Sequence, residues 1–416
     1  MVCESCIGKD KIISELRKEI EELKSQMKEV KEMIFKPARK SGKRKKKAGP
    51  KKGHKPCNRP IPDKIHNKVS PELDKCPDCG GPLSEPVRSR KRYVEDIRPP
   101  EPFNTEYDIP YYYCKCCKKQ FSPKPADAIP KCRLGIKLML LVVFLRYGML
   151  LPFGKVAKQL EIIYGISVSE GFLVDSMTRF REFAGPEFDK IGNEVRNLSK
   201  VHADETGWRV NGKKYWLWDF IGEKHSLLII DKSRGSRVLR ENLGEKKGRI
   251  VNCDCYSAYD KFGGRQQKCW SHLLRNSKNL GNDGGIIHLK LRKMYKKAKL
   301  HAGKGTAPKI KRELEDRIEK LALIPLEGKK GRAFVKTVTK HKENLFRFMV
   351  EGVDATNNAA ERGLRQSVVM RKITGGNRSM KGAVNHSVIM SVMGTWEKQG
   401  LDFFDQGMEI MKRNLP

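Results

Sequence analysis

The stretch KVHADETGWRV, followed by KKYWLWDFIG and KHSLLIIDK, does most to limit the fold. Each is an apolar or aromatic run of strand length. Asn211-Gly212, between the first two, is a hairpin signal because both residues tolerate positive φ. Ser233 to Asn242 reads as a helix and GRIVNCDCYSAYD as a further buried strand. Three strands, a helix and another strand predict an α/β or mixed-sheet layer. The chain has 416 residues, whereas domains average about 100 to 200. Other domains must therefore accompany that layer.

Two acids stand where these apolar runs turn polar, Asp204 in VHADETGW and Asp254 in IVNCDCYSAY. Acids on adjacent strand ends can hold Mg²⁺ or Mn²⁺, and two such ions about 3.5–4 Å apart stabilise both oxygens of an in-line phosphoryl displacement. A third carboxylate normally completes the cage. Glu361, in the predicted helix TNNAAERGLRQ, can supply it. Asn357 and Asn358 lie four and three positions before Glu361 and Arg365 lies four after, so a helix puts all of them on one face. The asparagines can hydrogen-bond the acid or DNA, while Arg362, Arg365, Arg371 and Lys372 can meet phosphates. Ala359 and Ala360 are small enough to let the helix approach the sheet. The plainer alternative makes Asp204 and Asp254 strand-end caps and pairs Glu361 with Arg365. Strand alternation sends Glu205 to the other face.

The charge balance points the same way. Lysine and arginine total 86 against 49 acids, a net +37, which suits a polyanionic partner such as nucleic acid. Lys36 to Arg59 has no acid and almost nothing apolar, so it reads as a disordered basic linker, with Lys43, Arg44, Lys45, Lys46 and Lys47 as candidate phosphate contacts. The N-terminus is polar, without the apolar core of a signal peptide. The longest apolar run, Leu138 to Leu145, falls well short of the roughly 20 residues that span a bilayer. A soluble intracellular protein with no membrane partner is expected.

Before the linker, Ile13, Leu16, Ile20, Leu23, Met27, Val30 and Ile34 alternate spacings of three and four, the seam of a short coiled coil that would pair copies of the chain, the plainer alternative being an amphipathic helix packed on its own chain. After it, Cys76-Pro-Asp-Cys79 and Cys114-Lys-Cys-Cys117 form two CxxC knuckles, a spacing that suits one structural Zn²⁺ held by Cys76, Cys79, Cys114 and Cys117. Cys116 could displace Cys117. Pro60 to Lys131 thus reads as a small β-rich zinc module. Cys3-x-x-Cys6 stays unassigned. Cys253, Cys255, Cys269 and His272 could gather a second metal, although buried strand cysteines are common without one.

In LPFGKVAKQLEIIYGISVSEGFLVDSMTRF, a helix over Lys155 to Tyr164, a break at Gly165 and a second helix from Ser167–Ser169 have the shape of a helix-turn-helix whose second member fits the major groove, although many such pairs are merely structural. Beyond Cys269 the chain is helical and lysine-rich to about Lys342. Lys290, Lys293, Lys296 and Lys297 there suit a solvated face or a phosphate track equally. A last helix spans Val384 to Lys398.

HADETGW, NCDCYSAYD, QKCWSHLLR and TNNAAERGLRQSVVMRKITGGNRS, in that order, resemble the transposases of the insertion sequence 66 family, members of the DDE group. The upstream modules resemble that family too. The resemblance implies a multidomain chain: coiled coil 1–35, basic linker 36–59, zinc module 60–131, helix-turn-helix domain 132–195, a ribonuclease H-like α/β catalytic core 196–400 with a helical insertion at about 285–342, and a tail 401–416. It implies Asp204, Asp254 and Glu361 as the catalytic triad with two Mg²⁺ (or Mn²⁺). The expected activity is cleavage at transposon terminal inverted repeats to expose a 3′-OH, which then attacks a target phosphodiester. It further implies double-stranded DNA as partner, a homodimer or larger oligomer, accessory transposition proteins, and a prokaryotic cytoplasmic, nucleoid-associated location. Cys255 is a departure, since glycine usually follows the second aspartate. Two other classes fit the residues: a catalytically inactive DNA-binding regulator derived from a transposase, and a ribonuclease H-fold nuclease.

Overall fold

The computed structural model describes residues 60–97, 100–125, 127–130 and 132–415, together with Glu21. The expected coiled coil, the basic linker and Lys43 to Lys47 lie outside the described residues. The chain divides into two compact units, Ile34–Glu101 and Pro102–Pro416 with Met1–Met33. In the smaller unit the described residues are almost all irregular and exposed, with one antiparallel bridge between Lys75 and Pro82. In the larger unit, β1 (Tyr112–Cys114) pairs antiparallel with β2 (Lys119–Phe121). The span 60–131 is therefore far poorer in strand than expected. Prolines remove ladder donors there, and few apolar side chains find anything to bury against.

The main core begins with α1 (Ile136–Val143), which runs into a π-helical turn at Phe144–Gly148, and α2 (Phe153–Tyr164). After Gly165 the chain re-enters helix at Ser169, whose hydroxyl accepts from Phe172 N at 3.1 Å, and α3 continues over Glu170–Asn197. The helix–break–helix outline matches expectation. The expected border at 195/196 is not a break, because Phe180, Ala184, Ile191 and Val195 of α3 share one buried cluster with the sheet.

That sheet has five strands, β3 (Lys200–Val210), β4 (Lys213–Ile221), β5 (Ser226–Asp231), β6 (Ile250–Cys253) and β7 (Arg265–Lys268), in the order β5-β4-β3-β6-β7. The first three form an antiparallel meander; β6 runs parallel to β3 and β7 parallel to β6. Helices α4 (Ser236–Leu243) and α5 (Ser257–Phe262) make the crossovers. GRIVNCDCYSAYD is thus half strand and half helix. The Asp254 carboxylate accepts from Tyr256 N at 2.8 Å and turns the chain into α5. Strand β7 had no apolar pattern, yet Gln266, Gln267 and Lys268 are all buried.

The insertion is wider than expected. Helices α6 (Trp270–Ser277), α7 (Gly284–His301), α8 (Ala307–Glu319), α9 (Lys329–Lys340), α10 (Lys342–Leu345) and α11 (Phe348–Glu351) enclose a second core around Trp270, Leu291, Leu314 and Phe346. Within it, Lys297 is paired to Glu313 at 2.7 Å. The chain then returns to the sheet as α12 (Asn358–Thr374) and α13 (Met380–Gln399). Residues 401–416 are not a tail. Asp402 accepts from Phe404 N and Asp405 N to start α14 (Phe403–Arg413), whose Ile410 and Met411 are buried in the main core. Among the described residues no helix is long and apolar enough to cross a membrane.

Strand β5 ends the sheet on one side, and α13 covers its open edge. Ser387, Ser391 and Thr395 accept from Ile230 N, Leu228 N and Ser226 N at 3.1, 2.8 and 3.1 Å. Four helical residues rise about 6 Å and two strand residues about 6.7 Å, so hydroxyls every fourth position meet every second strand amide. At the opposite margin, Gln267 of β7 donates to Leu345 O at 3.0 Å and accepts from Phe348 N at 2.9 Å.

Where α12 and α13 cross, His386 is fully buried beside the rings of Trp208 (4.8 Å) and Tyr147 (5.8 Å), its Nε2 3.0 Å from the Ser367 hydroxyl. Burial, reinforced by the Arg146 charge, pushes its pKa down to about 3. The unfolded chain then takes up a proton near pH 6.5 that the folded chain refuses, so stability is lost as pH falls from 6.5. The expected loss through this residue is about 2 kcal/mol by pH 5. Urea titrations of wild type and His386→Gln at pH 7 and 5 check it: the variant should show a correspondingly smaller fall.

Candidate active site

The β3–β6 ladder stops at His202↔Asn252, and Asp204 and Asp254 each lie two residues further along. Asp204 therefore sits inside a long strand, at the point where its parallel neighbour ends, and the two carboxylates are level. Burial, and next the Asp254 charge, push the Asp204 carboxyl up to about 6, with a smaller push from Glu361. All three acids thus share one electrostatic neighbourhood. Directly across from Asp204 in the β3–β4 register stands Asp219, completely buried. Its Oδ1 accepts weakly from the Ser226 hydroxyl at 3.4 Å, its Oδ2 has no hydrogen-bond partner among the described residues, and burial holds it well above the usual carboxylate range. The sequence reading missed Asp219, although a lone acid within YWLWDFI was the available signal.

Helix α12 brings Glu361 to these strands by a close approach at Gly363. A Cβ there would fall 2.2 Å from Asp219 Oδ2 and from Ile221 Cδ1. Expected small residues Ala359 and Ala360 flank this contact, and Ala360 is buried. The helix is held at its start by Asn357. This side chain is buried, donating to Ala203 O at 2.7 Å, with Oδ1 3.0 Å from His202 Nδ1, and its backbone N donates to Cys269 Sγ at 3.1 Å. The expectation that Asn357 faces DNA is corrected: it precedes the helix and points into the protein. Arg371 is also turned inward, donating from Nη1 to Thr206 Oγ1 at 3.1 Å and to Gly207 O. Asn358, Arg362, Arg365 and Lys372 are exposed.

Glu361 does not pair with Arg365. Its Oε1 lies 3.6 Å from His272 Nε2 and 3.9 Å from an Arg275 nitrogen, and makes no hydrogen bond among the described residues. Ligand atoms of Cys269, His272 and Glu361 all fall within 4.8 Å of one another. Cys253 and Cys255 stand outside that group. The Cys269 sulfur, ahead of the Glu361 and Asp254 charges, raises His272 to about 9 against the effect of burial.

The backbone at Asp254 is fixed from behind. Lys268, fully buried, donates to Asp254 O and to Asp260 Oδ1, both at 3.0 Å, and Asp260 also receives Lys340 at 2.8 Å. Glu205 faces away from Asp204 as alternation requires. It accepts from Arg234 Nε at 2.9 Å and the Tyr259 hydroxyl at 2.6 Å, while burial still pushes it up to about 7. Arg234 in turn stacks on Tyr256 and Trp216.

The two cysteine knuckles share a local geometry. In the first, Cys76 N donates to Gly81 O and Gly80, after the second cysteine, is left-handed (φ 72°). In the second, Lys118 takes that place with φ 51°. Backbone N–H groups of Cys79 and then Asp78 lower the Cys76 thiol, and that of Cys117 leads in lowering Cys114. Such thiolate-favouring turns fit a metal.

A family model described as transposase IS66 family matches residues 131–385, which include both aspartates, Glu361 and the whole five-stranded sheet. The chain belongs to the IS66 transposase family. A second model, the zinc-finger binding domain of transposase IS66, matches residues 74–118 and so takes in both knuckles, which supports a Zn²⁺ site in this IS66 chain. A relative named uncharacterized protein y4hP, from Sinorhizobium fredii, is 24% identical over 412 residues, covering 83% of this chain and 72% of the relative. Membership points to a nucleic-acid-processing enzyme built on a zinc-finger domain and a mixed α/β core.

Asn357→Ala should lower unfolding free energy by about 2–4 kcal/mol, because it leaves the Ala203 carbonyl and His202 without their partner in a dry place. Urea denaturation with an unchanged m-value is the check.

Proposed function

We propose that this chain is a DDE transposase that binds the terminal inverted repeats of its element, cleaves DNA there and joins the freed end to target DNA. The observation that carries the reading is the levelling of Asp204 with Asp254 across a parallel ladder, with Glu361 brought beside them on α12. A mixed sheet with acids past the ends of a parallel pair supports a ribonuclease H-like core.

The half-buried, mutually repelling acids fit divalent cations, and Asp204, Asp254 and Glu361 would hold them as Mg²⁺ or Mn²⁺. When bound, such ions stabilise the attacking and leaving oxygens of phosphodiester displacement. The protein's own part is placement. Lys268 fixes the backbone of Asp254, Asn357 fixes the start of α12 against the strand of Asp204, and Gly363 lets Glu361 come close. Exposed Asn358, Arg362, Arg365 and Lys372 form a stripe along α12 that can meet the DNA backbone.

Cys76, Cys79, Cys114 and Cys117 would hold one structural Zn²⁺, leaving no open position for a reacting water. The α2–α3 pair would read the repeats as a helix-turn-helix. Its exposed Glu170 and Asp175 at the start of α3 are poorly suited to phosphates, so backbone affinity must come from elsewhere, including Lys43, Arg44, Lys45, Lys46 and Lys47. An N-terminal coiled coil would pair two chains so that two ends are held together.

A strand-joining assay tests the reading. Purified protein receives a labelled end from its own flanking repeats, target plasmid and Mg²⁺ or Mn²⁺. Joining should be metal-dependent and fall at least a thousand-fold in Asp204→Ala and Glu361→Ala, as expected when charge stabilisation of the transition state is removed. Cleavage without joining would indicate a nuclease, and binding alone a regulator. Deleting Lys36 to Arg59 should flatten the salt dependence of DNA binding, each lost phosphate contact reducing the log–log slope by about 0.9. A slope that does not change would remove the linker from the DNA interface.

A further inference from the structure

The geometry points to a second metal site, made by Cys269, His272 and Glu361, that takes one borderline-soft divalent cation such as zinc and thereby withdraws Glu361 from Asp204 and Asp254. Cys269 is the residue immediately before α6, and His272 lies three positions on, so one helical turn presents sulfur and imidazole to the same side. Glu361 meets them from the first turn of α12.

Two observations argue for a missing ligand rather than a satisfied cluster. First, the three donor atoms lie within 4.8 Å of one another. In tetrahedral zinc the donors stand about 3.5 Å apart, given metal–ligand bonds of about 2.0–2.3 Å, so small side-chain rotations close the site. Second, Glu361 Oε1 is buried with no hydrogen-bond partner among the described residues, standing 3.6 Å from His272 Nε2 and 3.9 Å from an Arg275 nitrogen. Buried polar atoms are nearly always partnered, and this carboxylate oxygen faces the imidazole with no hydrogen bond to either neighbour.

The donor set decides which ion. Sulfur, nitrogen and oxygen together suit zinc, whereas Mg²⁺ demands oxygen ligands in octahedral order and would not accept the thiolate. Thiolate and carboxylate together neutralise the dication, with the Cys269 proton released to solvent on binding. The Asn357 N–H already pointing at Cys269 Sγ supports that thiolate. Three protein ligands leave a fourth position for water. Glu361 cannot serve both sites at once. Zinc would therefore act as a brake on the magnesium-dependent reaction, a consequence that rests on the proposed transposase function, whereas the site itself does not.

The test counts ions on the full chain without DNA. Wild type, Cys269→Ser and His272→Ala are saturated with zinc, freed of loose metal and analysed by emission spectroscopy, with circular dichroism to verify folding. Wild type should carry two zinc ions per chain, one in the cysteine knuckles, and each variant one. A single ion in folded wild type, or two in both folded variants, would overturn the site. Adding one further equivalent of zinc to knuckle-loaded wild type in the strand-joining assay should cut Mg²⁺-dependent joining at least ten-fold. Undiminished joining would overturn the brake. A protein that takes the second ion but never joins DNA would fail the transposase reading while leaving the site intact.

Discussion

The Asn357 amide sits where three remote stretches of chain converge, and the site exists only because they do. From one side chain it reaches the β3 backbone at Ala203 and the imidazole of His202, while its own backbone N–H reaches Cys269 at the mouth of the insertion. Asn252 of β6 repeats the theme, donating to Asp354 O and Thr356 O just before α12. Neutral amides suit this task because their N–H groups satisfy backbone carbonyls without adding charge to a place already rich in carboxylates. The segment just before the helix bearing Glu361 is thus tied both to β3, which carries Asp204, and to β6, which ends beside Asp254.

Charge is the second constraint. Asp204, Glu205 and Asp219 stand on neighbouring positions of two paired strands, and burial lifts all three above the ordinary carboxylate range. Glu205 is answered by Arg234 and Tyr259, and Asp260 further off by Lys268 and Lys340. Among the described residues, Asp204 has no such clamp. A fold that compensates Glu205 and Asp260 and leaves Asp204 to the repulsion of Asp254 has kept negative charge where a cation is wanted, at a cost in stability that the surrounding core must offset.

Much of this was readable in the chain. The β3, β4 and β5 runs are apolar enough to declare themselves, and both aspartates and Glu361 stand out by type against their neighbours. What stayed hidden has physical reasons. Strand β7 is polar, and its buried glutamines are satisfied by Leu345 and Phe348, far beyond any local window. A helical wheel places Asn357, Asn358 and Glu361 on one face, but the helix starts at Asn358, so the wheel does not apply to Asn357. Asp219 was passed over because an acid in an apolar strand satisfies no periodic pattern. The terminal helix was missed although Asp402 and the spacing of Phe403, Ile410 and Met411 supplied a cap and an apolar stripe. In the zinc module the pattern of prolines and tyrosines suggested strands, but with so little to bury, the turns around the cysteines carry the local order instead.

The hydroxyl ladder of α13 has a consequence for how copies of the chain can meet. A sheet margin with free amides invites another chain to continue it, whether as an orderly extension or as the beginning of a fibre. Here Ser387, Ser391 and Thr395 occupy those amides at one margin, while at the other Gln266, Gln267 and Lys268 are buried and the Gln267 side chain bonds Leu345 O and Phe348 N. Neither border of the sheet is available as a seam between molecules. Any assembly that brings two such chains to the ends of one DNA segment must therefore join them through helical or side-chain surfaces, leaving each sheet, and the acids mounted on it, mechanically private to its own protomer.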